Sequence, residues 1–195
     1  MPLNLCVFCS SSDVIEPDYF RAATELGHTM AQRGDVLVYG GTNAGLMGAV
    51  ARAMHRHAGR VVGVIPGFMA ARGLAYAPAD ELIVTKDIRE RKARMEDRAD
   101  AFIALPGGFG TLEEMLEIIT LKQLQRHSKP VIFLNTGGFY DPLIALFEHM
   151  REHRFAKQHC DSLYYFAPDV PALFIYLDHY RPPKIEAKWF VTTEP

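Results

Sequence analysis

Charge of one sign is missing from this chain: 21 Lys and Arg stand against 23 Asp and Glu, for a formal net charge of −2. Neither nucleic acid nor an anionic membrane surface is therefore an expected partner. No apolar run approaches the roughly 18 residues that a membrane span needs. Residues 1–8 lack the basic flank and length of a secretory leader, so a cytoplasmic protein is expected. Cysteine is scarce too, and the odd set Cys6, Cys9 and Cys160 disfavours a disulfide framework. Cys6 and Cys9 spell C-x-x-C, but in an apolar, strand-like run an offset of three points their side chains to opposite faces. The eight histidines form no ligand-spaced group, and no metal or cofactor is expected.

Hydrophobic residues make up 49% of the chain and charged residues 23%, a balance that supports a buried core. No repeat or linker interrupts residues 1–195, which read as one domain with an extended tail from Arg181 to Pro195 that carries Trp189. Seven short β-rich runs, 5–9, 36–39, 61–65, 82–85, 101–105, 131–135 and 163–166, alternate with segments whose apolar residues recur at three- and four-residue spacing. Those helical segments are 19–32, 45–57, 88–98, 112–125, 142–153 and 170–180; residues 66–80, with Gly67, Gly73 and Pro78, read as a loop. Near-continuous apolar strands separated by helices predict an α/β fold, a doubly wound, Rossmann-like parallel sheet with helices on both faces. Such sheets bind ligands beyond the carboxyl ends of their strands, which directs attention to three loops.

The first loop, 9–13, sets three serines after strand one. Ser10 is a candidate to hold a phosphate or sugar, although serines also belong to ordinary turns. The second, Tyr39-Gly40-Gly41-Thr42-Asn43-Ala44-Gly45, leaves strand two for a helix, with Gly41 and Thr42 as candidate ligand contacts. It matches neither G-x-G-x-x-G nor a Gly-Lys-Ser/Thr P-loop, and a tight packing turn explains it equally well. The third, Pro106-Gly107-Gly108-Phe109-Gly110-Thr111-Leu112-Glu113-Glu114, again runs from strand to helix. Amides near Gly107, Gly108 and Gly110, the Thr111 hydroxyl and the positive end of the helix would make an anion cradle. Thr111-x-x-Glu114 also spells a capping box, in which the carboxylate satisfies a backbone N–H. Leu112, Met115, Leu116 and Ile119 mark the stripe this helix is expected to bury.

Residues 87–95 look at first like a solvated, salt-bridged helix face. Helical phase contradicts this for two of them: Ile88, Met95 and Ala99 share one stripe, and Arg91 and Lys92 flank it. Buried charge needs an opposite charge, so both cations are expected to line a pocket or to meet carboxylates. Arg89, Glu90, Arg94 and Asp97 point away from that stripe.

Together, Arg91-Lys92-Ala93 and Pro106 to Glu114 resemble the signature of the Lonely guy (LOG) family, an Arg-Lys helix followed by P-G-G-x-G-T-x-x-E. The likeness extends through Val7-Phe8-Cys9, residues 39–48, residues 63–66 and residues 135–142. It implies a Rossmann-like phosphoribohydrolase that cleaves cytokinin riboside 5′-monophosphates, which are N6-substituted adenosine monophosphates, to free base and ribose 5-phosphate. It also implies a homodimer or higher even homo-oligomer, and assigns the functional pair to Arg91 and Glu114. Bacterial members have often carried a lysine-decarboxylase label, but no residue set for pyridoxal phosphate is recognisable here. The chain departs from the commonest pattern at Ser10 and Thr42, where glycine is usual, and at Ile88-Arg89, where Met-His is usual. Two other readings stay open: a less selective nucleosidase acting on AMP, and a non-catalytic nucleotide-binding or sensing protein on the same fold.

Overall fold

The computed structural model describes residues 2–185; the rest of the expected tail, with Trp189, lies outside the described residues. Seven strands are present: β1 (Asn4–Phe8), β2 (Val36–Tyr39), β3 (Arg60–Pro66), β4 (Glu81–Thr85), β5 (Ala101–Ala104), β6 (Val131–Leu134) and β7 (Tyr165–Ala167). They pair in parallel in the order β4-β3-β2-β1-β5-β6-β7. The expected helices are α1 (Pro17–Arg33), α2 (Gly45–Arg56), α4 (Ile88–Arg98), α5 (Phe109–Gln123), α6 (Asp141–Glu152) and α7 (Val170–His179). One turn of helix, α3 (Gly67–Ala70), lies inside the segment expected to be a loop.

Parallel strands need crossover helices, and helices on both faces leave β5 and β6 buried at every position. One core layer packs Leu26 and Met30 of α1, Val50 and Met54 of α2 and Leu173 of α7 against the sheet. The opposite layer packs Met95 of α4 and Met115 and Ile118 of α5 against Phe8, Phe102 and Phe133. Each such side chain contributes about 1.5–3 kcal/mol on burial. No helix among the described residues is long and apolar enough to cross a membrane.

Helix α4 starts where the sequence reading put it, whereas α5 starts earlier. Helix α4 carries a reciprocal cap: Asp87 Oδ1 accepts from Glu90 N at 2.8 Å and Glu90 Oε2 accepts from Lys86 N at 3.0 Å. Helix α5 begins at Phe109 with Gly108 as its cap, so Thr111 lies inside the first turn and cannot cap the helix. The capping-box reading of Thr111 and Glu114 therefore falls. The stripe that α5 buries is Thr111, Met115, Ile118 and Lys122, whereas Leu116 is exposed.

Chain order runs outward from β1 to β4 on one side of the sheet, then returns to place β5 on the other side of β1. The switch point lies between β1 and β5, where crossovers leave in opposite directions and open a crevice.

Candidate active site

A cleft of about 370 Å³ occupies this switch point, within the roughly 300–1,000 Å³ range of small-molecule sites. Its floor and polar wall are residues 7–12, from the end of β1 into the loop after it, together with Gly108, Gly110, Thr111 and Glu114 of the β5–α5 junction and Arg91 of α4. Met47, Met69 and Ile88 make an apolar wall.

Arg91 and Glu114 meet in the cleft. Arg91 Nη1 donates to Glu114 Oε1 at 2.5 Å, and Arg91 Nε donates to the Val64 carbonyl at 3.1 Å. Their side chains are 12% and 11% exposed, so a charged pair is largely withdrawn from water yet reaches the cavity. Burial pushes the Glu114 carboxyl above its ordinary value, and the guanidinium opposes that shift. Arg91 crosses the end of β2 because Gly40 has no side chain there: a Cβ on Gly40 would collide with Arg91 Nη2.

Lys92 is also half-buried, but it turns to α5, where it pairs with Glu113 and, at 2.7 Å, with Glu117. Carboxylates of its own chain thus answer its charge, and it does not line the cleft. Arg89, Arg94 and Asp97 are exposed as expected, and the partly exposed Glu90 is engaged in the α4 cap.

The two glycine loops differ in what they leave open. At the start of α2, Asp13 Oδ1 accepts from Gly45 N at 2.8 Å and the Ser10 carbonyl accepts from Leu46 N at 3.0 Å. A carboxylate already sits at this helix end. Gly41, at φ +75°, packs under Val64 and Ile65, and the buried Thr42 bridges to Ala75; neither lines the cleft. At the start of α5, no side chain among the described residues caps the helix, leaving its first-turn N–H groups for another acceptor. Gly108 and Gly110 adopt no left-handed backbone, and a Cβ on either would meet nothing within 4 Å. The chain's own packing therefore does not demand glycine at these two positions. Gly107 differs, because a Cβ there would collide with the Thr111 side chain.

Ser10 lines the cleft, its hydroxyl accepting from Ser12 N at 3.0 Å. Cys9 lines it too, but burial raises its thiol far above the usual range, so it is a protonated wall group and not a nucleophile. The sequence reading did not find Met47 and Met69 as wall residues. Met69 lies on the one-turn helix within the expected loop, where no periodicity marks it.

A family model described as "possible lysine decarboxylase" matches residues 47–177. The cytokinin riboside 5′-monophosphate phosphoribohydrolase LOG2 of Arabidopsis thaliana is 42% identical over 92% of this chain and 84% of its own length. This chain belongs to the LOG family. A second LOG relative, the cytokinin riboside 5′-monophosphate phosphoribohydrolase of Oryza sativa subsp. japonica, is 43% identical over 92% of this chain and 74% of its own length. Among solved structures, the molybdenum cofactor binding protein of Rippkaea orientalis aligns with TM-score 0.70 at 21% identity, covering 91% of this LOG chain and 97% of that one. The Moco carrier protein of Chlamydomonas reinhardtii aligns with TM-score 0.68 at 22% identity, covering 91% and 96%. At such identities the likeness is one of fold alone.

Proposed function

We propose that this protein hydrolyses the N-glycosidic bond of N6-substituted adenosine 5′-monophosphates, releasing free base and ribose 5-phosphate. The observation that carries the reading is the buried Arg91–Glu114 pair facing a cleft beside an uncapped, glycine-rich helix start. LOG relatives with phosphoribohydrolase names support the substrate class.

The 5′-phosphate is assigned to the start of α5, where Gly108, Gly110 and Thr111 border the cleft and backbone N–H groups favour an anion. Asp13 at the start of α2 disfavours a second anion there. Met47, Met69 and Ile88 offer the base and its N6 substituent an apolar wall. Breaking the bond from C1′ to the base leaves a cation-like sugar, whose charge the Glu114 carboxylate offsets while orienting the attacking water. Water supplies the hydroxyl at C1′, and its proton ends on the base. Arg91 holds Glu114 through its guanidinium and stabilises charge by hydrogen bonding. A lysine decarboxylase on pyridoxal phosphate would need a Schiff-base lysine, and no lysine is among the residues lining this cleft.

The test compares kcat/KM for isopentenyladenosine monophosphate, isopentenyladenosine and AMP. Loss of two or three charge-assisted phosphate contacts predicts about a thousandfold or greater preference for the monophosphate over its nucleoside. Ratios within a few-fold would overturn the phosphate assignment. Equal turnover of AMP would favour the less selective nucleosidase, and binding without release of base would favour a sensing protein.

A homodimer is part of the same reading. Phe109 is 93% exposed, and Leu116 and Leu124 continue an exposed apolar face along α5, which a second copy of the chain would cover. An active, concentration-independent monomer in sedimentation would contradict it.

A further inference from the structure

We propose that Tyr76, tied to His55 and Asp80, is a positioning residue for the Arg91–Glu114 pair, acting through the glycine turn at residues 40–42. The inference rests on the hydrolase reading for its kinetic consequence, but not for its structural one.

The chain after α3 returns alongside that turn. Thr42 and Ala75 form an antiparallel bridge, Tyr76 N donates to the Gly41 carbonyl at 2.8 Å, and Asn43 N donates to the Leu74 carbonyl at 3.3 Å. Tyr76 is 6% exposed and its hydroxyl lies 2.9 Å from His55 Nδ1 on α2. His55 Nε2 lies 3.1 Å from Asp80 Oδ2, and the same oxygen accepts from Val61 N of β3 at 2.7 Å. An Asp–His–Tyr chain thus fixes the returning segment to both α2 and β3, and the segment in turn grips the glycine turn. Tyr76 and Asp80 engage opposite nitrogens of the one His55 ring, so each member orients the next.

The turn leads directly to the catalytic pair. Gly40 abuts Arg91 Nη2, Gly41 packs on Val64, and the Val64 carbonyl accepts from Arg91 Nε. Thr42 Oγ1 contacts Met47 Sδ at 3.5 Å, and Met47 both borders Gly40 and lines the cleft. Releasing the grip lets residues 40–42 shift against the guanidinium and changes its seat beside Glu114. No part of the Asp–His–Tyr chain lines the cleft, so its members act through other residues.

The experiment uses Tyr76→Phe, which keeps the ring and the Tyr76 N–H bond to Gly41, and His55→Ala, which breaks the chain at its middle. The first readout is the titration of the Glu114 carboxyl by carbon-13 NMR in full-length protein. The charged and titratable groups that act on that carboxyl are Arg91 and Lys92 of α4, Glu113 of α5, the Cys6 thiol of β1 and the Cys9 thiol just after it. Arg91 is the group that most opposes the burial penalty, so a loosened Arg91 should move the Glu114 titration to higher pH in both variants. The second readout is turnover of isopentenyladenosine monophosphate, where a displaced pair should lower kcat about tenfold or more with little change in KM. An unchanged Glu114 titration in both variants overturns the proposal, even if their melting temperatures fall. A shifted titration in a protein that hydrolyses nothing upholds the positioning role and overturns the hydrolase reading instead.

Discussion

Arg91 on α4 and Glu114 on α5, 23 residues apart in sequence, place Nη1 and Oε1 2.5 Å apart at the bottom of the switch-point cleft. The carboxylate is thus both the partner of the guanidinium and a lining group of the cleft. Glu114→Gln is therefore expected to cut turnover at least a hundredfold while the protein still folds. Glu113→Gln, which alters only an exposed partner of Lys92, should lose little. Rates per mole of folded protein distinguish the two; near-normal turnover in Glu114→Gln would assign that residue a structural role only.

Arg91→Ala is expected to abolish most activity, because Arg91 joins Val64 to Glu114. Arg91→Lys should rescue only part of it, since one ammonium lacks the planar fork that makes both contacts. Arg89→Ala and Arg94→Ala remove exposed side chains and should stay within a few-fold of the parent. Equal losses at all three positions would point to a general electrostatic effect.

Gly40→Ala should be a folded but impaired enzyme. The added Cβ meets Arg91 Nη2 and Met47 Sδ, the far ends of two flexible side chains, so the backbone can stay while the guanidinium moves. A large loss in kcat with a nearly unchanged melting temperature is the expected pair of observations; full activity would show that Arg91 does not need this path.

The acid limb of the pH–rate profile should report Glu114. Its pKa is raised above 4.5, first by burial, so the required carboxylate is lost as pH falls through a value higher than an ordinary glutamate's. The limb in kcat/KM is expected above that ordinary range, and its disappearance in Glu114→Gln with residual activity confirms the assignment. A limb at or below 4.5 would contradict it.

Lys122 is fully buried in α5, its ammonium 5.2 Å from the Tyr180 ring centroid and without a hydrogen-bond partner among the described residues. Burial pushes its pKa down from 10.5 to about 8. Between those values the unfolded chain holds a proton that the folded chain has released, so this residue's contribution to stability rises with pH across that window and carries its full penalty below it. Lys122→Met should accordingly be more stable at pH 7, by about 1 to 3 kcal/mol, with the advantage shrinking as pH approaches 10.5. Denaturant unfolding at pH 7 and near pH 10 checks both the sign and the trend.

All seven strands and six of the helices were legible because their signals are local. Buried parallel strands are continuous apolar runs, and the phase of α4 singled out Arg91 and Lys92 within a stretch dense in charge. The motif at residues 106–114 likewise marked Glu114 and the glycines of the α5 junction. Composition and periodicity determine these things because each depends on residues a few positions apart.

What the residues touch was decided only by tertiary structure. Two glycine loops looked alike in sequence, yet Asp13 closes the start of α2 while no side chain among the described residues caps α5, and Gly41 and Thr42 pack against Val64, Ile65 and Ala75 and do not line the cleft. Arg91 and Lys92 are adjacent, yet one faces the cavity and the other the carboxylates of α5. The segment around Glu114 by itself favours a helix cap, a reading that fell once α5 was seen to start at Phe109. Each outcome rests on how α4 and α5 lie against one another and against β1 to β3. Contacts between residues far apart in the chain set that arrangement, and no short-range pattern encodes it.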